Sequence, residues 1–250
     1  MTQPQPKLLK TDIAERINKL LEPDYQNDVM LRSVKKDIEK LRLIDAPEAH
    51  RLSAAVCCVE KDKVGLIRHY NIVLENYPDD YGYNKEFAGF LFNLDLVFDA
   101  LDYAHRAYEI KKTPEIIRIL IDITARTARF TESFTLLNEL EKMKVDTEKE
   151  KMLVDVGIVD FIKRNQLSDA DISFVVEKAD FIAHENNLKV EQIKAAVYHD
   201  GVEEWLSIDL FIKATPKQAV KLEVDFVDDL VISMPENFPI SKISCGFATV

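Results

Sequence analysis

The stretch "LDLVFDALDYAHRAYEIKKTPE", Leu94 to Glu115, decides the fold. At helical pitch it sets Ala100, Ala104 and Ala107 on one face, where a second helix can approach closely. It then reaches Thr113-Pro114-Glu115, a helix start. The threonine hydroxyl can cap free amides, and proline is comfortable in a first turn. A small-residue face followed at once by another start signal reads as one unit in a series of antiparallel helical hairpins.

Working outward, almost every segment from about residue 6 to residue 142 has helical periodicity, broken by short polar links. Glu22-Pro23-Asp24 closes the first helix, Ala46-Pro47-Glu48 opens another, and Pro78-Asp79-Asp80 ends the helix running from about Lys63 to Tyr77. Superimposing the segments that begin at Pro47, Tyr81 and Pro114 aligns their second helices. Leu66, Tyr70 and Val73 fall on Ala100, Ala104 and Ala107, and on Ser133, Leu137 and Leu140. Ala54, Ala88 and Ile121 then coincide where the two helices of a hairpin come closest. The repeat lengths are 34 and 33 residues. An ordinary helical bundle with a coincidental spacing is the competing reading.

Two helices per unit at this period resembles the tetratricopeptide repeat. Phe87, Ala88, Leu91, Ala100, Ala104 and Ala107 fall on that family's apolar and small positions. The resemblance covers about residues 47–145. Leu66 and Ile121 stand where the family prefers a small residue, and only the first unit keeps a terminal proline, Pro78.

After Asp146 the pattern continues as helix to about Arg164. "NQLSDAD" interrupts it, with Ser168 as the cap of a helix through about Asn186. "KVEQIKAAVYH" predicts a further short helix ending at the His199-Asp200-Gly201 turn. "WLSIDLFIK" alternates, with Leu206, Ile208, Leu210 and Ile212 on one side, as a half-buried strand does. Thr215-Pro216-Lys217-Gln218 is a capping box and opens a helix to Val231. Val220, Leu222, Val224 and Phe226 also alternate as a strand would, and on a helix Glu223 intrudes on the apolar face. The start signal and the continued run favour helix. "PISKISCGFATV" is a closing strand. The expected fold is mostly α: helical hairpin repeats over residues 1–165, then a small β-α-β domain over residues 166–250.

The 250 residues are 47% apolar and 31% charged, with 6 Gly and 9 Pro, a globular and helix-rich composition. A net charge of −11 weighs against binding a phosphate backbone, where clustered cations supply most of the affinity. The amino terminus has no signal-peptide apolar core, and no stretch approaches the roughly 18 apolar residues of a membrane span. Three cysteines, an adjacent pair Cys57-Cys58 and a lone Cys245, read as reduced intracellular thiols. The reading is a soluble, cytoplasmic chain.

No Gly-rich phosphate loop, G-x-S-x-G or H-E-x-x-H occurs, and the five histidines have no metal-ligand spacing. No catalytic residue, metal or cofactor is assigned. In tetratricopeptide-like hairpins the first helix of each pair lines the concave surface. Arg51, Lys85 and Arg118 lie at equivalent positions of the three first helices, which the resemblance implies would form a row of cations facing an acidic peptide or carboxyl terminus. Phe92 would supply apolar burial. The family's accompanying asparagines are missing, with Ala55, Gly89 and Asp122 in their places. The tyrosines of "HYNIVLENYPDDYGY" read as packing between hairpins. The expected function is a non-enzymatic adaptor that binds a partner protein or acidic peptide. The alternative is an acidic inhibitor or immunity-type protein that covers a basic partner enzyme.

Overall fold

Asp45, Asp80 and Thr113 each cap a helix, accepting hydrogen bonds from the backbone amides of Glu48, Tyr83 and Ile116, three residues on. The start signal therefore recurs along the chain. The structure is a computed structural model and describes residues 6–22 and 25–250. Helices α1 (Pro6–Leu20) and α2 (Asp28–Arg42) form a first pair. α3 (Ala46–Glu60) with α4 (Lys63–Asn76), α5 (Tyr81–Asn93) with α6 (Val97–Ile110), and α7 (Pro114–Arg126) with α8 (Phe130–Lys142) form three more. Of the expected Glu22-Pro23-Asp24 break, Pro23 and Asp24 lie outside the described residues.

The turns inside the last three pairs each carry one residue of positive φ: Lys61 (58°), Asp95 (64°) and Ala128 (54°). A left-handed residue there reverses the chain within a very short link. These residues are spaced as the sequence repeat is. The residues aligned across the three second helices, and Ala54, Ala88 and Ile121 on the first helices, are all buried. Inside α7/α8 the close approach is polar. Thr124 Oγ1 lies 2.7 Å from Ser133 Oγ and also 2.7 Å from the Leu120 carbonyl, so neither hydroxyl is left unsatisfied.

The chain divides into two compact units, Met1–Lys112 and Thr113–Val250. In the first, α1 packs on α2 and α3, α2 on α3, α3 on α4 and α5, and α5 on α6. The first helices α1, α3 and α5 thus touch in succession and make a continuous wall.

In the second unit, α7/α8 is followed by α9 (Glu148–Lys151), α10 (Val156–Arg164) and α11 (Asp169–Glu185). The unbroken helix expected to Arg164 is interrupted at residues 152–155, because Asp155 captures the Gly157 amide at 2.7 Å and starts a new helix. Ser168 and Asp171 form a capping box at the start of α11. Neighbouring Asp169 reaches α8, accepting from the amides of Thr131 (3.0 Å) and Glu132 (2.8 Å). It supplies the cap that Arg129, at the N-cap of α8, does not.

The unit closes with strands β1 (Val190–His199), β2 (Glu204–Ile212) and β3 (Ile243–Thr249), in sheet order β1-β2-β3. β1 and β2 are antiparallel, and β2 and β3 are parallel, joined by helix α12 (Pro216–Ser233). The helix expected over "KVEQIKAAVYH" is in fact β1. Val190, Ile193 and Val197 mimic helical spacing, but Ile193, Ala195 and Val197 stand opposite the buried Leu210, Ile208 and Leu206. The alternating partner strand across a short turn overrides the local period. The helix α12 and the closing strand are present as expected. No described helix is long and apolar enough to cross a membrane.

Candidate interaction surface

On α5, Tyr81, Lys85, Gly89 and Phe92 lie at i, i+4, i+8 and i+11, so they share one helical face, and all four are half-buried. Two of them, Lys85 and Phe92, are residues the sequence singled out. The Lys85 ammonium lies 5.4 Å from the Tyr81 ring centroid, and that of Lys111 lies 5.8 Å from the same ring. Gly89 makes a dip in this face, since a Cβ built there meets nothing within 4 Å. The strip therefore runs from an aromatic ring between two cations, across a gap, to a second aromatic ring. In the sequence Gly89 reads as standing in place of a groove asparagine and Tyr81 as packing between hairpins, and their four-residue steps from Lys85 are the signal that joins both to this face.

Arg51 has a different setting. On α3 it donates to Glu48 at 2.8 Å and to Glu86 of α5 at 2.5 Å, and its side chain is only 19% exposed. Tyr70 donates its hydroxyl to the other oxygen of Glu86 at 2.6 Å, while its ring stacks on Phe87 with centroids 4.3 Å apart. Burial would lower the Arg51 pKa, but the Glu48 hydrogen bond and the two carboxylate charges outweigh it and raise the value. Burial, followed by the Glu86 charge, pushes the Tyr70 hydroxyl well above its ordinary range. Arg51 thus joins α3 to α5 through an internal ion pair. Tyr70 packs between neighbouring hairpins as the sequence suggested.

Arg118 belongs to the second unit. From α7 it donates to Glu150 at 3.1 Å and to the Asp146 carbonyl at 2.8 Å, tying α7 to the α9 segment. Asp122, one turn on, has its carboxyl pKa raised by burial and by Glu150.

Between α2, α3 and α4 lies a cavity of about 400 Å³ lined by Lys35, Arg42, Arg68, His69, Cys57 and Glu60, among others. Its charges are partly matched, with Lys35 on Glu60 (2.6 Å) and Arg42 on Glu39 (3.2 Å). Beside it, His50 Nδ1 and His69 Nδ1 stand 2.9 Å apart, one donating and the other accepting. Burial first, then neighbouring positive charge, lowers both histidine pKa values. Cys57 and Cys58 are both buried, and burial pushes each thiol up to about 11. Neither is a nucleophile at neutral pH.

Set against known proteins, the chain matches no family model and no curated relative.

Proposed function

We propose that this is a non-enzymatic interaction protein of tetratricopeptide-like build, in which the half-buried strip on α5 receives a segment of a partner protein. The observation that carries the reading is the succession of first helices α1, α3 and α5 into one wall. Such a wall holds side chains in fixed register, so a partner meets a surface already ordered. Lys85 and Lys111 beside Tyr81 suit a carboxylate, and Phe92 across the Gly89 dip suits an apolar residue next to it. The ligand class is an acidic peptide segment with an adjoining apolar side chain. Arg51 contributes by holding α3 and α5 together rather than by touching the ligand.

The net charge of −11 supports a second reading, an acidic inhibitor that covers a basic enzyme. Affinity capture from native lysate at low and moderate salt, with the wild-type chain and with Lys85→Glu, separates the two. The adaptor reading expects proteins sharing an acidic segment, retained by wild type and lost by Lys85→Glu. A single basic protein lost as salt rises, indifferent to Lys85→Glu, would replace it with the inhibitor reading.

A further inference from the structure

Helix α12 has two apolar faces. Ala219, Leu222, Phe226 and Leu230 are buried within the second unit. Val220, Val224, Val227 and Val231 form a second stripe at i, i+4, i+7 and i+11, and they are 47–66% exposed. This alternation of four- and three-residue steps is the spacing of a helix that packs along another helix. Four valines in one exposed line are a patch, unlike apolar residues scattered singly over a surface.

We propose that this stripe pairs with the same stripe of a second copy of the chain, the two α12 helices running antiparallel about a two-fold axis between Val224 and Val227. The flanking charges identify the occupant. Along one side of the stripe the first half of the helix carries Lys217 and Lys221, and the second half carries Asp225 and Asp228. In an antiparallel self-pair, Val220 meets Val231 of the second copy, Val224 meets its Val227, and Lys221 comes beside its Asp228, with each contact made twice. A parallel self-pair would instead put this flank on opposite sides of the seam in the two copies, where Lys221 could not reach Asp228. Within its own helix Lys221 has only a loose contact with Asp225, at 3.9 Å. On the opposite flank Glu223 is engaged, accepting the Phe247 amide at 3.0 Å and closing the stripe off toward β3. Asp229, on the side away from the stripe, is paired with Lys178 of α11 at 3.1 Å.

One helix pair buries less than a standard interface, so the dimer is weak, with a dissociation constant on the order of 10 µM. Sedimentation of the full chain over a concentration series tests the assignment. A reversible monomer–dimer equilibrium is expected, weakened about tenfold or more by Val224→Asp with an unchanged circular dichroism spectrum. Lys221→Asp and Asp228→Lys are each expected to weaken association, and the two combined in one chain to restore it, because the two-fold axis brings the exchanged charges together again. That rescue is specific to a self-partner. A chain that remains monomeric at every concentration overturns the proposal and leaves the stripe to a helix of another protein. A dimer indifferent to Val224→Asp, or a double variant as weak as the singles, overturns it as well.

Discussion

Arg51 illustrates how a residue that reads as a ligand-binding cation becomes part of the framework. Its spacing with Lys85 and Arg118 is real, but its charge is matched by Glu86, 35 residues away, a pairing no local pattern announces. Removing the guanidinium leaves two carboxylates close together beside the buried Tyr70. Arg51→Ala is expected to destabilise the first unit by about 2 kcal/mol, read as a lower urea midpoint at constant slope. Arg51→Met with Glu86→Leu is expected to recover part of the loss, since the pair is replaced by apolar contact. An unchanged midpoint in Arg51→Ala would show that the ion pair contributes nothing. Lys85 and Phe92 were legible as partners on one face because two helical turns separate them. The role of Glu86 was not legible, because it depends on which hairpins stack.

Among the elements, starts were more legible than partners. Thr113, the Ser168 box and the Thr215 box act within one turn of chain, so their chemistry is complete in the sequence, and all three cap helices as expected. β1 was misread because a strand's identity rests on what lies beside it, and its apolar residues are few enough to fit either period. The ambiguity over α12 has a physical source. A helix with one buried and one exposed apolar stripe also reads as alternation, and Glu223 falls outside the buried stripe, at the edge of β3. The α3/α4 pair carries a consequence of its own. His50 and His69 face each other with lowered pKa values, so the unfolded chain takes up protons near the ordinary pH 6.5 before the folded pair does. Stability is therefore fully present above about pH 6.5 and declines as pH falls toward 5. Asp37 and Asp45, whose carboxyls are held below their ordinary range, add a separate loss only at lower pH. Urea midpoints at about pH 7.5 and pH 5.5 check this, with His69→Gln expected to flatten the dependence. Equal slopes in the two proteins would remove the histidine pair as its cause.

At the scale of the whole molecule, the proposed interaction role requires a surface that is ordered before a partner arrives. The capped starts, the left-handed turn residues and the stacked first helices α1, α3 and α5 supply one. Photo-crosslinking tests this claim most directly, with a photoreactive residue at Gly89, where an added side chain meets open space, and a control at the exposed Asp102 of α6. The expected result is a discrete adduct from position 89 in native lysate, competed by an acidic peptide with an adjoining apolar residue, and none from position 102. Adducts of equal yield from both positions, or from position 102 alone, would contradict the assignment of α5 as the partner-binding face.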